Sequence, residues 1–204
     1  MMLEVLQQYL KRRYLNRATK GGLKTIFDVQ EYDRHSFYGD PIAQALLRSI
    51  CKRVSDESGI DLVPAHAFTS LYAPGSELSP HKDRPELQYT ASLLVCTDDS
   101  EPWPIYVDMD DGEQPLELTA EPGDFLMFRG YDYSHWRNKT NHHHIMIFFH
   151  FAERSHYEQL GGEEHYESVY KYSRNEFMND VTNDVSLSDI IEADKYYNGD
   201  EDDA

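Results

Sequence analysis

Cysteine is nearly absent from this chain: Cys51 and Cys96 are the only two in 204 residues, and neither belongs to a C-x-x-C pair. That excludes a disulfide framework and a zinc site closed by cysteines, and both thiols read as small buried hydrophobes in a reducing compartment. Long apolar runs are lacking too. No stretch approaches the ~20 residues needed to span a bilayer. The opening MMLEVLQQYLKRRYLN mixes apolar and polar residues at helical spacing, without the unbroken apolar segment of a secretory leader. A soluble, cytoplasmic protein is expected. Positive charge is scarce, with 19 Lys and Arg against 37 Asp and Glu and a net charge of -18. A field of that sign repels phosphate backbones and anionic lipid headgroups, so neither nucleic acid nor a membrane is expected as a partner. Aromatic residues, by contrast, make up 13% of the chain, too much packable surface for a disordered polymer.

Residues 2–16 place Leu3, Leu6, Tyr9, Leu10 and Tyr14 on one stripe of an amphipathic helix, with Lys11, Arg12, Arg13 and Arg17 on a solvated basic face. After Gly21-Gly22, KTIFDV reads as a short strand. Asp40-Pro41 then reads as an N-cap followed by proline in the first helical turn. The helix runs to about Glu57 and ends near Gly59, packing through Ile42, Ala45, Leu46, Ser49, Ile50 and Arg53. From Leu62 onward short β-branched and aromatic runs alternate with Pro, Gly and Asp turns, from AHAFTSLY to HHHIMIFFHF. Strands this short and so connected predict an antiparallel sandwich or barrel behind a helical preface. Three regions follow: 1–61 as helical support, 62–154 as the β core, and 155–204 as an acidic extension. The extension holds 14 acidic and 3 basic side chains, with a helix beginning after Ser188 and a solvated NGDEDDA end.

His81 and Asp83 are separated by one residue, which in a strand sends both side chains to one face about 7 Å apart along the chain. A metal held at ~2.0–2.2 Å from each ligand can bridge that spacing. His135, in SHWRN after GDFLMFRG, is a third candidate from another strand. Two imidazoles and one carboxylate on one side of an ion leave positions open, the arrangement of non-haem Fe(II) oxygenases, whereas a structural zinc closes its shell.

Tyr72-Ala-Pro-Gly75-Ser-Glu-Leu-Ser-Pro-His81-Lys-Asp83 resembles the YxPGxxxxxHxD segment of the prolyl-4-hydroxylase-like branch of the Fe(II)/2-oxoglutarate-dependent dioxygenases. Glu121-Pro-Gly123-Asp124-Phe-Leu-Met-Phe128-Arg-Gly130 followed by His135 is similar to the turn and strand that lead to that family's distal metal histidine. The likeness covers roughly residues 62–152. It implies a mainly β fold with N-terminal helices, a double-stranded β-helix (jelly roll, cupin-like), in which His81, Asp83 and His135 hold Fe(II). It also implies 2-oxoglutarate as co-substrate, with O2 consumed, succinate and CO2 formed, and an unactivated C–H bond of a protein side chain or small metabolite hydroxylated. Tyr72 matches the tyrosine that hydrogen-bonds 2-oxoglutarate, and Gly75 the glycine that turns the chain back into the sheet. The family's Arg or Lys, about nine or ten residues after the distal histidine, is missing: His144 and Ile145 stand there. Arg137, on the same strand face as His135, is the replacement of choice, with His144 and Arg84 as alternatives. His142-His143-His144 opens a strand at the rim, since alternation sends His143 away from its neighbours. Trp103 and Trp136 line a substrate mouth or pack its rim. The competing function is a non-catalytic cupin-like module that binds a metal or small ligand.

Overall fold

The structure, a computed structural model, describes residues 2–19, 34–38, 40–98, 102–110 and 112–169. The strand predicted at KTIFDV and the helix predicted after Ser188 lie outside them. Two antiparallel sheets face each other. The larger has the order β1 (Arg34–Tyr38), β2 (Leu62–Tyr72), β9 (His144–Glu153), β4 (Tyr89–Thr97) and β7 (Phe125–Phe128). The smaller has the order β3 (Leu78–His81), β8 (Ser134–Arg137), β5 (Ile105–Asp108) and β6 (Leu116–Leu118). This is the predicted double-stranded β-helix. Its short strands are joined by turns, as an antiparallel jelly roll requires.

Helices α1 (Met2–Thr19) and α2 (Pro41–Ser58) cover the outer face of the large sheet, α1 against β4 and α2 against β2 and β9. Leu6, Leu10 and Tyr14 of α1 and Ala43, Leu47 and Cys51 of α2 meet Ala67, Leu93, Ile147, Phe149 and Phe151 in one apolar core. Alternation in β9 feeds this layer with Ile145, Ile147, Phe149 and Phe151 and turns His144, Met146, Phe148 and His150 to the other side. Helix α1 runs beyond the predicted 2–16. The packing face of α2 is centred on Ala43, Leu47 and Cys51, with Ala45, Ser49 and Arg53 exposed. Ile42, Leu46 and Ile50 pack half-buried against the same core, as predicted, and the fully buried stripe adds Leu47, which the sequence reading did not name. As predicted, Asp40 caps α2: its Oδ1 accepts from the amides of Ile42 and Ala43, and Gly59 closes the helix at φ 70°. Asp40 also binds α1, through Arg13 at 2.7 Å and the Tyr9 hydroxyl at 2.9 Å. Arg13 is therefore an internal anchor, whereas Lys11 and Arg12 are exposed.

Strand β1 lies in the region expected to be helical support, yet it pairs with β2 along its whole length and makes one edge of the large sheet. Helices α3 (Arg154–Gln159) and α4 (Gly162–Val169) follow β9, and Tyr166 packs on Val63 and Ala152. Cys51 is buried, Cys96 half-buried, and both are free thiols. No helix among the described residues is long and apolar enough to cross a membrane.

Candidate metal centre and cavity

The small sheet brings the three predicted ligands together by register. His81 and His135 are direct cross-strand partners on β3 and β8, with ring centroids 4.3 Å apart. Asp83 follows two residues later, beyond the strand end, where its amide donates to the Gly130 carbonyl at 2.8 Å. One possible ligand atom from each of the three lies within 4.8 Å of the others, and both His81 Nε2 and His135 Nε2 stand 3.8 Å from Asp83 Oδ1.

The outer contacts fix the tautomers. His81 Nδ1 lies 2.8 Å from the Ser79 carbonyl and His135 Nδ1 lies 3.1 Å from the Tyr133 carbonyl. A carbonyl only accepts, so each Nδ1 carries a proton, and Nε2 is the atom each ring turns toward Asp83. Burial pushes the His135 imidazole well below its ordinary range, against the pull of Asp83 in the opposite direction. Neutral imidazole is the form that ligates a metal.

Two residues that sequence reasoning did not single out shape the carboxylate. Thr90 on β4 donates a short hydrogen bond to Asp83 Oδ2, leaving Oδ1 to face the imidazoles. Gly130 gives the carboxylate its room, since a Cβ built there would stand 2.0 Å from Asp83 Oδ2 and 2.6 Å from Thr90 Oγ1. The glycine is required by close approach, as its φ is not positive.

A cavity of about 330 Å³ opens beside the triad. Tyr72 lines it, fully buried, and its oxygen accepts a 3.3 Å hydrogen bond from Arg34 Nη1. Arg34 lines the cavity as well, although nothing in its sequence context marks it. Arg137 is not among the lining residues. It is buried on β8 itself, paired with Leu78 of β3, with Nη1 donating to the Trp103 carbonyl and the guanidinium 4.9 Å from the Trp103 ring. Its Nε and Nη2 are buried without a partner, and burial pushes its pKa down to about 10. Of the two alternatives, Arg84 lines the cavity, while His144 is held by Thr97 at Nδ1 (2.9 Å) and by Thr140 at Nε2 (2.8 Å).

The three consecutive histidines do not act together. His142 and His143 precede β9, so strand alternation does not separate them, and both reach Asp98, at 3.5 Å and 2.9 Å. Neither tryptophan lines the cavity. Trp103 donates to the Asn138 carbonyl and stacks on His144, and Trp136 stacks on Tyr106.

Solved structures share this architecture. A prolyl-4-hydroxylase from Pseudomonas putida aligns over 74% of this chain and 88% of its own, at 14% identity and a TM-score of 0.56. HygX from Streptomyces hygroscopicus, solved with nickel, 2-oxoglutarate and hygromycin B bound, aligns over 74% of this chain and 78% of its own, at 11% identity and a TM-score of 0.53. EvdMO1 aligns over 76% of this chain and 45% of its own, at 16% identity and a TM-score of 0.56. No family model matches the sequence, and no curated protein does. At these identities the likeness establishes the fold alone, the double-stranded β-helix.

Proposed function

We propose that this protein is an Fe(II)/2-oxoglutarate-dependent dioxygenase that hydroxylates an unactivated C–H bond of a protein side chain or small metabolite. The observation that carries the reading is the convergence of two imidazole Nε2 atoms and one carboxylate oxygen beside a cavity that also holds Tyr72. The donor set fits Fe(II), because two nitrogens and one oxygen on one side of an ion leave the remaining positions for co-substrate and O2. When bound, iron and 2-oxoglutarate supply the oxidising power, with succinate and CO2 as co-products.

The chain's own residues hold and aim. The carbonyls of Ser79 and Tyr133 fix the two imidazoles, and Thr90 fixes the carboxylate. Tyr72 accepts from Arg34 and so keeps its own proton to donate to a carboxylate of 2-oxoglutarate. Arg137 holds a buried cation with two unused donors, and no carboxylate among the described residues pairs with it. A guanidinium in that state matches the far carboxylate of a dicarboxylic acid.

Anaerobic titration with Fe(II) and then 2-oxoglutarate tests the reading, with the weak visible charge-transfer band as the signal. Wild type is expected to show the band and, once oxygen is admitted, to release succinate. His81→Ala is expected to show neither. A correctly folded wild type without the band would sink the proposal.

A further inference from the structure

Through residues 82–88 the chain crosses from β3 of the small sheet to β4 of the large one, and the crossing carries Asp83 near its start. Asp83 therefore lies outside both strands. A turn follows at once, in which the Leu87 amide donates to the Arg84 carbonyl at 2.8 Å, and both Arg84 and Leu87 line the cavity. The next two carbonyls are taken from outside the β core. His156 of α3 brings Nε2 to 2.9 Å from the Pro85 carbonyl, and the Tyr166 hydroxyl of α4 donates to the Glu86 carbonyl at 3.0 Å. A carbonyl only accepts, so His156 donates through Nε2. His165 Nε2 adds a 3.1 Å contact to the Glu86 carboxylate.

The helices that supply these donors are themselves seated on the large sheet. Tyr166 is buried, packs on Val63 of β2 and Ala152 of β9, and meets Tyr157 of α3 with ring centroids 4.6 Å apart. Both helices belong to the stretch read from the sequence as an acidic extension. A backbone carbonyl needs a partner, and a connection whose carbonyls are satisfied by side chains of another element is held where that element sits. Released from them, the turn samples other positions and Asp83 meets the two imidazoles in fewer molecules. Apparent metal affinity falls in proportion to that fraction.

We propose that α3 and α4 brace the metal centre from outside, with Tyr166 and His156 as positioning residues that act on Asp83 through the 84–87 turn. The proposal rests on the reading of His81, Asp83 and His135 as ligands of Fe(II). Coupling of this kind is reciprocal, so bound metal in turn holds the two helices more firmly on the core.

Calorimetry with Fe(II) alone, run anaerobically on the full chain, is the first test. Tyr166→Phe keeps the ring and its packing and loses only the hydroxyl donor, and His156→Ala removes the other donor. The double variant Tyr166→Phe/His156→Ala is expected to bind Fe(II) about tenfold more weakly than wild type, the lower end for an outer contact, with unchanged circular dichroism. Tyr166→Phe/His156→Gln returns an N–H donor to the Pro85 carbonyl and is expected to recover part of the loss. Equal affinity in wild type and the first double variant would overturn the proposal, because a purely structural contact leaves the metal untouched. Hydrogen exchange needs no variant. Saturating Fe(II) is expected to slow the amides of α3 and α4 in wild type more than those of α1, and exchange in α3 and α4 indifferent to the metal refutes the brace as well. 2-Oxoglutarate is then added to the same samples. If the charge-transfer band is missing while the affinity differences persist, the oxygenase reading fails and the brace stands; a normal band with equal affinities sinks the brace and spares the oxygenase.

Discussion

Along β9, Ile145, Ile147, Phe149 and Phe151 face the helices, while His144, Met146, Phe148 and His150 face the small sheet. One strand thus borders two environments of opposite design. The outer layer is apolar and closed by α1 and α2. The inner layer buries Thr90, Ser92, His66 and His150, and Ser92 Oγ has no partner there. Burying such groups costs stability, and strands that keep them on one face only are spending that stability at a site. Damage to the outer face should therefore appear in folding, and damage to the inner face in binding.

Phe149→Ala is the strongest test. It removes a fully buried ring from the outer layer and should cost about 3–5 kcal/mol in urea unfolding while leaving the iron affinity of the folded protein unchanged. A lost metal affinity at unchanged stability would break the separation. Asp83→Ala should do the reverse, lowering iron affinity by more than the roughly 10–100-fold typical of an outer contact, with unchanged circular dichroism. Substantial unfolding would mark Asp83 as a structural residue. Thr90→Val and Gly130→Ala act one step further out, by freeing the carboxylate or crowding it, and each should weaken iron binding about 10–100-fold. Iron affinity equal to wild type in both would show that the carboxylate needs no support.

The smallest effect is acid sensitivity from the inner face. His66 and His150 are held neutral, so their folded pKa values lie below the ordinary 6.5. The unfolded chain then binds more protons as pH falls below about 6.5, and stability declines on the order of 1 kcal/mol per pH unit for each histidine. Asp83 opposes the shift at His150 and Arg84 reinforces it at both. The double variant His66→Phe/His150→Phe should flatten the decline between pH 6.5 and 5, and an unchanged slope would place the acid-sensitive groups elsewhere.

The triad was legible through two sequence motifs occurring in order, although the strand ends at His81 and Asp83 lies beyond it, so the strand alternation expected to align the pair does not apply. Arg137 was placed two residues from His135 and is buried in the interior, whereas Arg34, which lines the cavity, was not singled out. Arg34 sits in a five-residue strand whose pairing with β2 no local pattern announces. Thr90 and Gly130 matter through contacts between strands, which a linear reading does not contain. The run His142-His143-His144 shows the same limit: its reading depends on where β9 begins, and it begins at His144.

Asp40 ties the helical layer together in a way that reaches beyond capping. One fully buried carboxylate closes the start of α2 with one oxygen and holds Arg13 and Tyr9 of α1 with the other. The two helices are therefore latched by a single anion, and neither can detach alone. A chain shortened by its first twenty residues would keep the second helix but strand a negative charge in the interior without its counterion, so the N-terminal segment is an electrostatic prerequisite for the domain rather than a dispensable cover.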